Sequence, residues 1–115
     1  MDYVLEFAPP MLNIRGRFNT FRLGIKWGTR LKAGDAVYLL DKPHSILICK
    51  AEVERVISGK LGDMAKEHAF RNHNQLGLDN DSAPERLIEG MKKRYGPQCV
   101  SENKRCVVIY LREIK

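Results

Sequence analysis

Ile46-Leu47-Ile48-Cys49-Lys50-Ala51-Glu52-Val53-Glu54-Arg55-Val56 is a long run of mostly β-branched and aliphatic residues whose phase breaks once. Ala51 and Val53 share a face, as alternation along a strand demands, but Val56 falls on the other. A strand that changes face near Glu54-Arg55 carries a bulge there or curls, and curled strands belong in small barrels. The run before it, Ala36-Val37-Tyr38-Leu39-Leu40-Asp41, opens at the turn signal Gly34-Asp35 and closes at Lys42-Pro43-His44. The two runs therefore form a hairpin that returns through Ser45.

Working outward, Tyr3-Val4-Leu5-Glu6-Phe7 alternates around Tyr3, Leu5 and Phe7 as a short strand that Pro9-Pro10 ends. Met11 to Gly16 reads as a turn or one helical turn. Thr20 to Ile25 alternates again, with Phe21, Leu23 and Ile25 on one face and Thr20, Arg22 and Gly24 on the other. Downstream, Leu61 to His73 reads as a helix whose start is placed by Gly62-Asp63, with Leu61, Met64, Ala65, His68 and Ala69 on one face. Gly77 to Ser82 is a polar loop. Ser82-Ala83-Pro84-Glu85 has the form of a capping box with proline in the first turn, and the helix it opens runs through Leu87, Ile88, Met91 and Tyr95 to the stop Gly96-Pro97. The apolar run Cys106 to Leu111 is a last strand, finishing in Arg112-Glu113-Ile114-Lys115. Helices inserted late into a β pattern predict an α+β fold, a small closed mixed β-barrel flanked by two or three helices.

The 115 residues suit one domain, 1–115, and 43 % hydrophobic with 30 % charged residues is the composition of a globular chain. No stretch approaches 18 consecutive apolar residues, and the first residues lack the basic start and apolar run of a signal peptide, so the expectation is a cytoplasmic protein with no membrane partner. The sequence leaves the oligomeric state open, monomer or weak dimer. Cys49, Cys99 and Cys106 are odd in number and lack CxxC spacing, which predicts buried free thiols rather than a disulfide framework or zinc ribbon.

The formal charge of +6 is concentrated. Asn13 to Gly34 holds Arg15, Arg17, Arg22, Lys26, Arg30 and Lys32 and no Asp or Glu, while Phe18, Phe21 and Trp27 are interleaved with the cations. Cations for phosphate and flat rings for bases are what a nucleic-acid groove needs. Arg15, Arg17, Thr20, Arg22, Lys26 and Trp27 are the candidate contacts. The alternative is that Phe18, Phe21 and Trp27 are core residues beside a solvated cationic edge, and the sequence leaves both open for Phe18 and Trp27. Arg22 likewise has two roles open, contact with a ligand or a brace paired to an acid.

Other chemistries lack their residues. His68 and His73 would stand about 140° apart on a helix, and His44 lies in a turn, so no metal site is expected. No nucleophile elbow, Cys-His signature, P-loop or GxGxxG occurs, and Glu52, Glu54, Glu85 and Glu89 read as solvent-facing positions. No cofactor is implied.

Gly16-Arg17-Phe18-Asn19-Thr20-Phe21-Arg22-Leu23-Gly24, Leu31-Lys32-Ala33-Gly34-Asp35 opening a strand, Glu67-His68-Ala69, and Tyr95-Gly96-Pro97 before a closing strand together resemble the ASCH domain family of the PUA-like superfamily. The resemblance implies a PUA-like barrel with a cleft, between barrel and helices, that accepts RNA or a modified nucleoside or nucleotide. Some members of that family are amidohydrolases acting on N4-acetylcytidine through a lysine, a threonine and a glutamate. Thr20 matches the threonine, while Arg17 stands at the lysine and Asn72 at the glutamate. Arginine stays protonated and an amide does not titrate, so neither replaces a proton carrier. The sequence thus predicts an RNA- or nucleotide-binding domain. The alternative is a hydrolase of modified nucleosides, or a ribonuclease, using Thr20, Arg17 and Glu67 or His68.

Overall fold

The computed structural model describes residues 3–8 and 12–114. Its strands are β1 (Tyr3–Phe7), β2 (Arg17–Leu23), β3 (Ala36–Asp41), β4 (Ile46–Lys60) and β5 (Arg105–Ile114), and its helices α1 (Lys26–Arg30), α2 (Leu61–His68) and α3 (Ala83–Tyr95). The strands form one mixed sheet in the order β1-β3-β4-β5-β2, with β1 parallel to β3 and the remaining pairs antiparallel. The sheet curls into a half-barrel, an α+β fold.

The curl arises where the phase of β4 breaks. Val53 faces Leu111 on β5 and Arg55 faces Tyr110, leaving Glu54 as the extra residue of a bulge. Beyond it β4 continues to Lys60, four residues past the apolar run, because β5 pairs with it as far as Arg105. A second slip, between Leu39 and Leu40, leaves Ile48 unpaired near the hairpin.

Both faces of the sheet are covered, which explains the unbroken apolar text of β5. Val107, Ile109 and Leu111 point into the half-barrel with Leu5, Phe7, Phe18, Val37, Leu39 and Val53. Cys106 and Val108 point the other way, against Phe21, Leu61, Ala65, Leu87 and Met91 beneath α2 and α3. In β2 the same parity sends Phe18, opposite Leu111, into the barrel and Phe21, opposite Val108, under the helices.

Several expectations are corrected. The strand read as Thr20 to Ile25 spans Arg17–Leu23 and stops where Gly24 takes φ +86°. The expected helix Leu61 to His73 ends at His68 and tightens into a 3₁₀ turn at Ala69–Arg71. It cannot continue, because Asn72 is extended and forms a bridge with Asn19, while the His73 amide donates to the Asn19 carbonyl. The capping box at Ser82 does not form. Asp79 instead orders the turn before the helix, accepting from the Asp81 and Ser82 amides, and these hydrogen bonds, led by one involving Ser82, hold its carboxyl below the ordinary range. Helix α3 otherwise ends as expected, at Gly96 with φ +93°. Cys106 is buried and Cys49 half-buried, but Cys99 is exposed. The Pro9-Pro10 break lies outside the described residues.

The barrel is not closed by strand pairing, contrary to expectation: among the described residues β1 and β2 are the two edges of the sheet. Among the described residues no helix is long and apolar enough to cross a membrane.

Candidate functional site

The seam between β1 and β2 is filled by side chains. Arg22 of β2 donates from Nη1 to the Glu6 carbonyl of β1 at 2.6 Å and lays its guanidinium 4.6 Å from the centre of the Phe7 ring. Beside it the His73 imidazole meets Phe7 and Phe18 edge-on, at 5.3 and 5.9 Å between centres, and its Nδ1 lies 3.1 Å from the Leu12 carbonyl. Hydrogen bonding to that carbonyl makes Nδ1 the protonated nitrogen. Asn72 is fixed by the same segment: its Oδ1 accepts the Asn74 amide and its Nδ2 donates to the Asn19 carbonyl.

Above this seam lies a cleft of about 500 Å³, bounded by the end of β1, the outer part of β2, residues 72–75 and one face of α3. Thr20 and Asn72 lie in its floor, each almost wholly buried. Arg22, Arg86, Lys93 and Arg94 line it, with no Asp or Glu among the described lining residues. Tyr95 adds an exposed ring with Arg94 stacked 5.2 Å from its centre. Gly90, midway along α3, has nothing within 4 Å of where a Cβ would sit, so the absent side chain keeps the cleft open.

The cations differ in what they are free to do. Arg86 is committed to the protein, with Nε donating to Gln75 Oε1 at 2.7 Å and Nη2 to the Asp79 carbonyl. Arg22 spends one nitrogen on the Glu6 carbonyl, but its buried Nε has no hydrogen-bond partner among the described residues. Burial, reinforced by the nearby charge of Arg94, lowers its pKa to about 10, which leaves it charged at neutral pH. Burial also brings His73 down to about 4, and Arg22 and Arg94 push the same way.

The His73 shift makes the stability of the fold depend on pH. Its folded pKa lies below the ordinary 6.5, so the unfolded chain binds the proton more tightly. The contribution to stability is complete above pH 6.5 and is lost as pH falls toward 4. About 3 kcal/mol should disappear across that window, read as the urea midpoint against pH. His73→Gln should flatten much of the slope. His68, also lowered, first by burial, leaves a residue of it.

The candidate contacts separate. Thr20 and Arg22 line the cleft together, as their shared strand face predicted. Arg17 does not; it is exposed and 3.5 Å from Glu54 on the bulge. Arg15 pairs with Glu113 at 2.5 Å. Trp27 is half-buried, edge-on to Tyr3 at 6.0 Å and packed on the barrel core, with Lys26 and Arg30 each 5.7 Å from its ring centre. Glu67 faces solvent 3.6 Å from His68 Nε2, and the His68 Nδ1 is 2.7 Å from the Tyr110 hydroxyl, so neither Glu67 nor His68 lines the cleft. The α3 residues were missed, although Arg86, Gly90, Lys93 and Arg94 recur at the spacing of one helical face. No group of three or more His, Cys, Asp or Glu side chains that could hold a metal occurs among the described residues.

The half-barrel with helices over one face and a cleft at its seam defines an ASCH-like fold, and solved structures bear this out. The hypothetical protein PH0355 matches 99 % of this chain and 100 % of its own, with a TM-score of 0.70 at 14 % identity. The ASCH domain from Lactobacillus crispatus JV V101 matches 97 % of this chain and 79 % of its own, at 0.59 and 9 % identity. Protein EF3133 from Enterococcus faecalis V583 matches 86 % and 61 % respectively, at 0.59 and 15 %. At these identities the likeness is one of fold. No family model and no curated protein matches the sequence.

Proposed function

We propose that this ASCH-like chain binds RNA or a nucleotide-like ligand in the cleft over Thr20 and Arg22. The observation that carries the reading is that Arg22, Arg86, Lys93 and Arg94 line one concave site with no carboxylate among its described residues. A cleft lined by one sign of charge focuses the field and raises the local concentration of oppositely charged ligands. Tyr95 offers a surface for a base, and cations with a ring are the combination that single-stranded nucleic acid rewards. Hydrolysis by Thr20 with Arg17 and Glu67 gains no support, since neither of those two lines the cleft with Thr20.

Affinity for a short single-stranded RNA, measured by fluorescence anisotropy from roughly 50 to 200 mM salt, should fall linearly on a log–log plot. Arg94→Gln should reduce the slope by about 0.7, the contribution of one phosphate contact on a single strand. Gly90→Met, which places a side chain in the open space of the cleft and suits a helix, should weaken binding at every salt concentration while the fold persists. Salt-independent binding, or full affinity in Gly90→Met, would move the ligand elsewhere.

A further inference from the structure

We propose that the Arg22–Arg94 end of the cleft takes a terminal phosphate, the phosphomonoester of a nucleotide or of an RNA end, in preference to an internal phosphodiester. This rests on the anion-binding reading of the cleft and goes further in naming the group bound.

Arg22 and Arg94 enter the cleft from different walls, β2 and α3, and are close enough for Arg94 to disfavour the charge on Arg22. Neither forms an ion pair among the described residues, although the Glu6 carboxylate favours the Arg22 charge from beyond ion-pair distance. The acceptor for Arg22 is the Glu6 carbonyl, an uncharged group, while the Glu6 carboxylate lies 3.4 Å from Lys42. Arg94 has a ring beneath it and no ion pair among the described residues. Lys93 adds a third cation on the same helix end. A phosphomonoester carries a charge of about −1.5 to −2 at pH 7 and presents three acceptor oxygens, whereas a diester carries one charge. Three free oxygens can accept from guanidinium groups that line the cleft on two walls, and arginine forks favour such contacts. A diester turns two of its oxygens over to the chain, which must then leave the cleft in both directions. A cleft of about 500 Å³ accommodates a single nucleotide.

The proposal has a pH signature. The charged and titratable groups facing this end are Arg22 on β2, His73 on the 72–75 segment, Arg86, Lys93, Arg94 and Tyr95 on α3, and Glu6 on β1. His73, lowered to about 4, stays neutral through mild acid, and arginine keeps its charge. Between about pH 7.5 and 5.5 the ligand itself changes, as the second phosphate proton binds near pH 6.

The test is calorimetric titration of the whole chain with nucleoside monophosphates, the matching nucleosides, and one short RNA bearing a 5′-phosphate, a 3′-phosphate or hydroxyls at both ends. Phosphate-bearing forms should bind about tenfold or more tightly than their hydroxyl counterparts, the order expected for one charge-assisted contact. That advantage should shrink several-fold at about pH 5.5 and vanish in Arg94→Gln or Lys93→Gln, exposed positions whose replacement leaves the fold intact. A preference for free monophosphates over RNA ends, or the reverse, names the source of the group; either supports the proposal. Equal binding of phosphate-ended and hydroxyl-ended RNA overturns it while leaving the anion cleft standing. Failure of every phosphate compound to bind overturns both.

Discussion

Phe18→Ala should cost about 3–5 kcal/mol of stability, a large part of what a domain of this size possesses. Phe18 is 1 % exposed, lies opposite Leu111 in the interior of the half-barrel, and meets Phe7 and His73 edge-on. Its removal opens a cavity where β1, β2 and the 72–75 segment come together, and β1 and β2 have no ladder between them to hold the seam. The surroundings therefore cannot collapse onto the space without the edge strands moving. Urea unfolding followed by circular dichroism would show the midpoint falling with little change in slope. A loss below about 1.5 kcal/mol would mean that the barrel interior repacks around the gap, and that Phe18 is not its keystone. Trp27→Ala is the natural comparison, because Trp27 is only partly buried at the edge of that core and its loss should be smaller.

The same residue shows how far the sequence can be read. Alternation alone placed Thr20 and Arg22 opposite Phe21 and Leu23, and pairing with β5 confirms that parity. What alternation could not supply is that both faces of β2 are buried, one by the barrel and one by α2 and α3. Phe18 and Phe21 are both core for that reason, although they point in opposite directions. The bulge at Glu54 was legible because a phase change is a local property of the chain. The early end of α2 was not, because what stops it is Asn19, a residue more than forty positions away that takes Asn72 into a bridge.

The site was half legible for a related reason. Concentration of charge drew attention to Asn13–Gly34, yet a strip that is continuous in sequence is divided by the fold. Arg15 and Arg17 turn to Glu113 and Glu54, and Lys26 and Arg30 turn to Trp27. Only Thr20 and Arg22 of the named contacts reach the cleft, and its other cations come from α3, where a basic last turn reads equally well as complement to the helix dipole.

Arg22→Met should lower affinity for phosphate-bearing RNA by roughly 10- to 150-fold, the loss of a charge-assisted contact worth about 1.5–3 kcal/mol, and should also cost about 1–3 kcal/mol of stability. Two effects are expected because the side chain faces two ways. Nη1 ties β2 to the Glu6 carbonyl across the seam and the guanidinium covers Phe7, while Nε is left without a partner beside the cleft. Methionine keeps much of the length and apolar stem, so the barrel stays covered while charge and donors go. Arg22→Lys separates the roles: it retains a charge for the anion but loses the fork that serves carbonyl and ligand together. Binding and unfolding must be measured on the same samples. If Arg22→Met destabilises the fold but binds RNA as before, Arg22 is a brace between two strand edges and the anion is held by α3 alone. If affinity falls beyond what the unfolded fraction explains, and Arg22→Lys recovers part of it, Arg22 both closes the barrel and holds the ligand. No acidic side chain forms an ion pair with Arg22 among the described residues, and a half-buried cation whose hydrogen-bond acceptor is a neutral carbonyl keeps its charge available to the cleft.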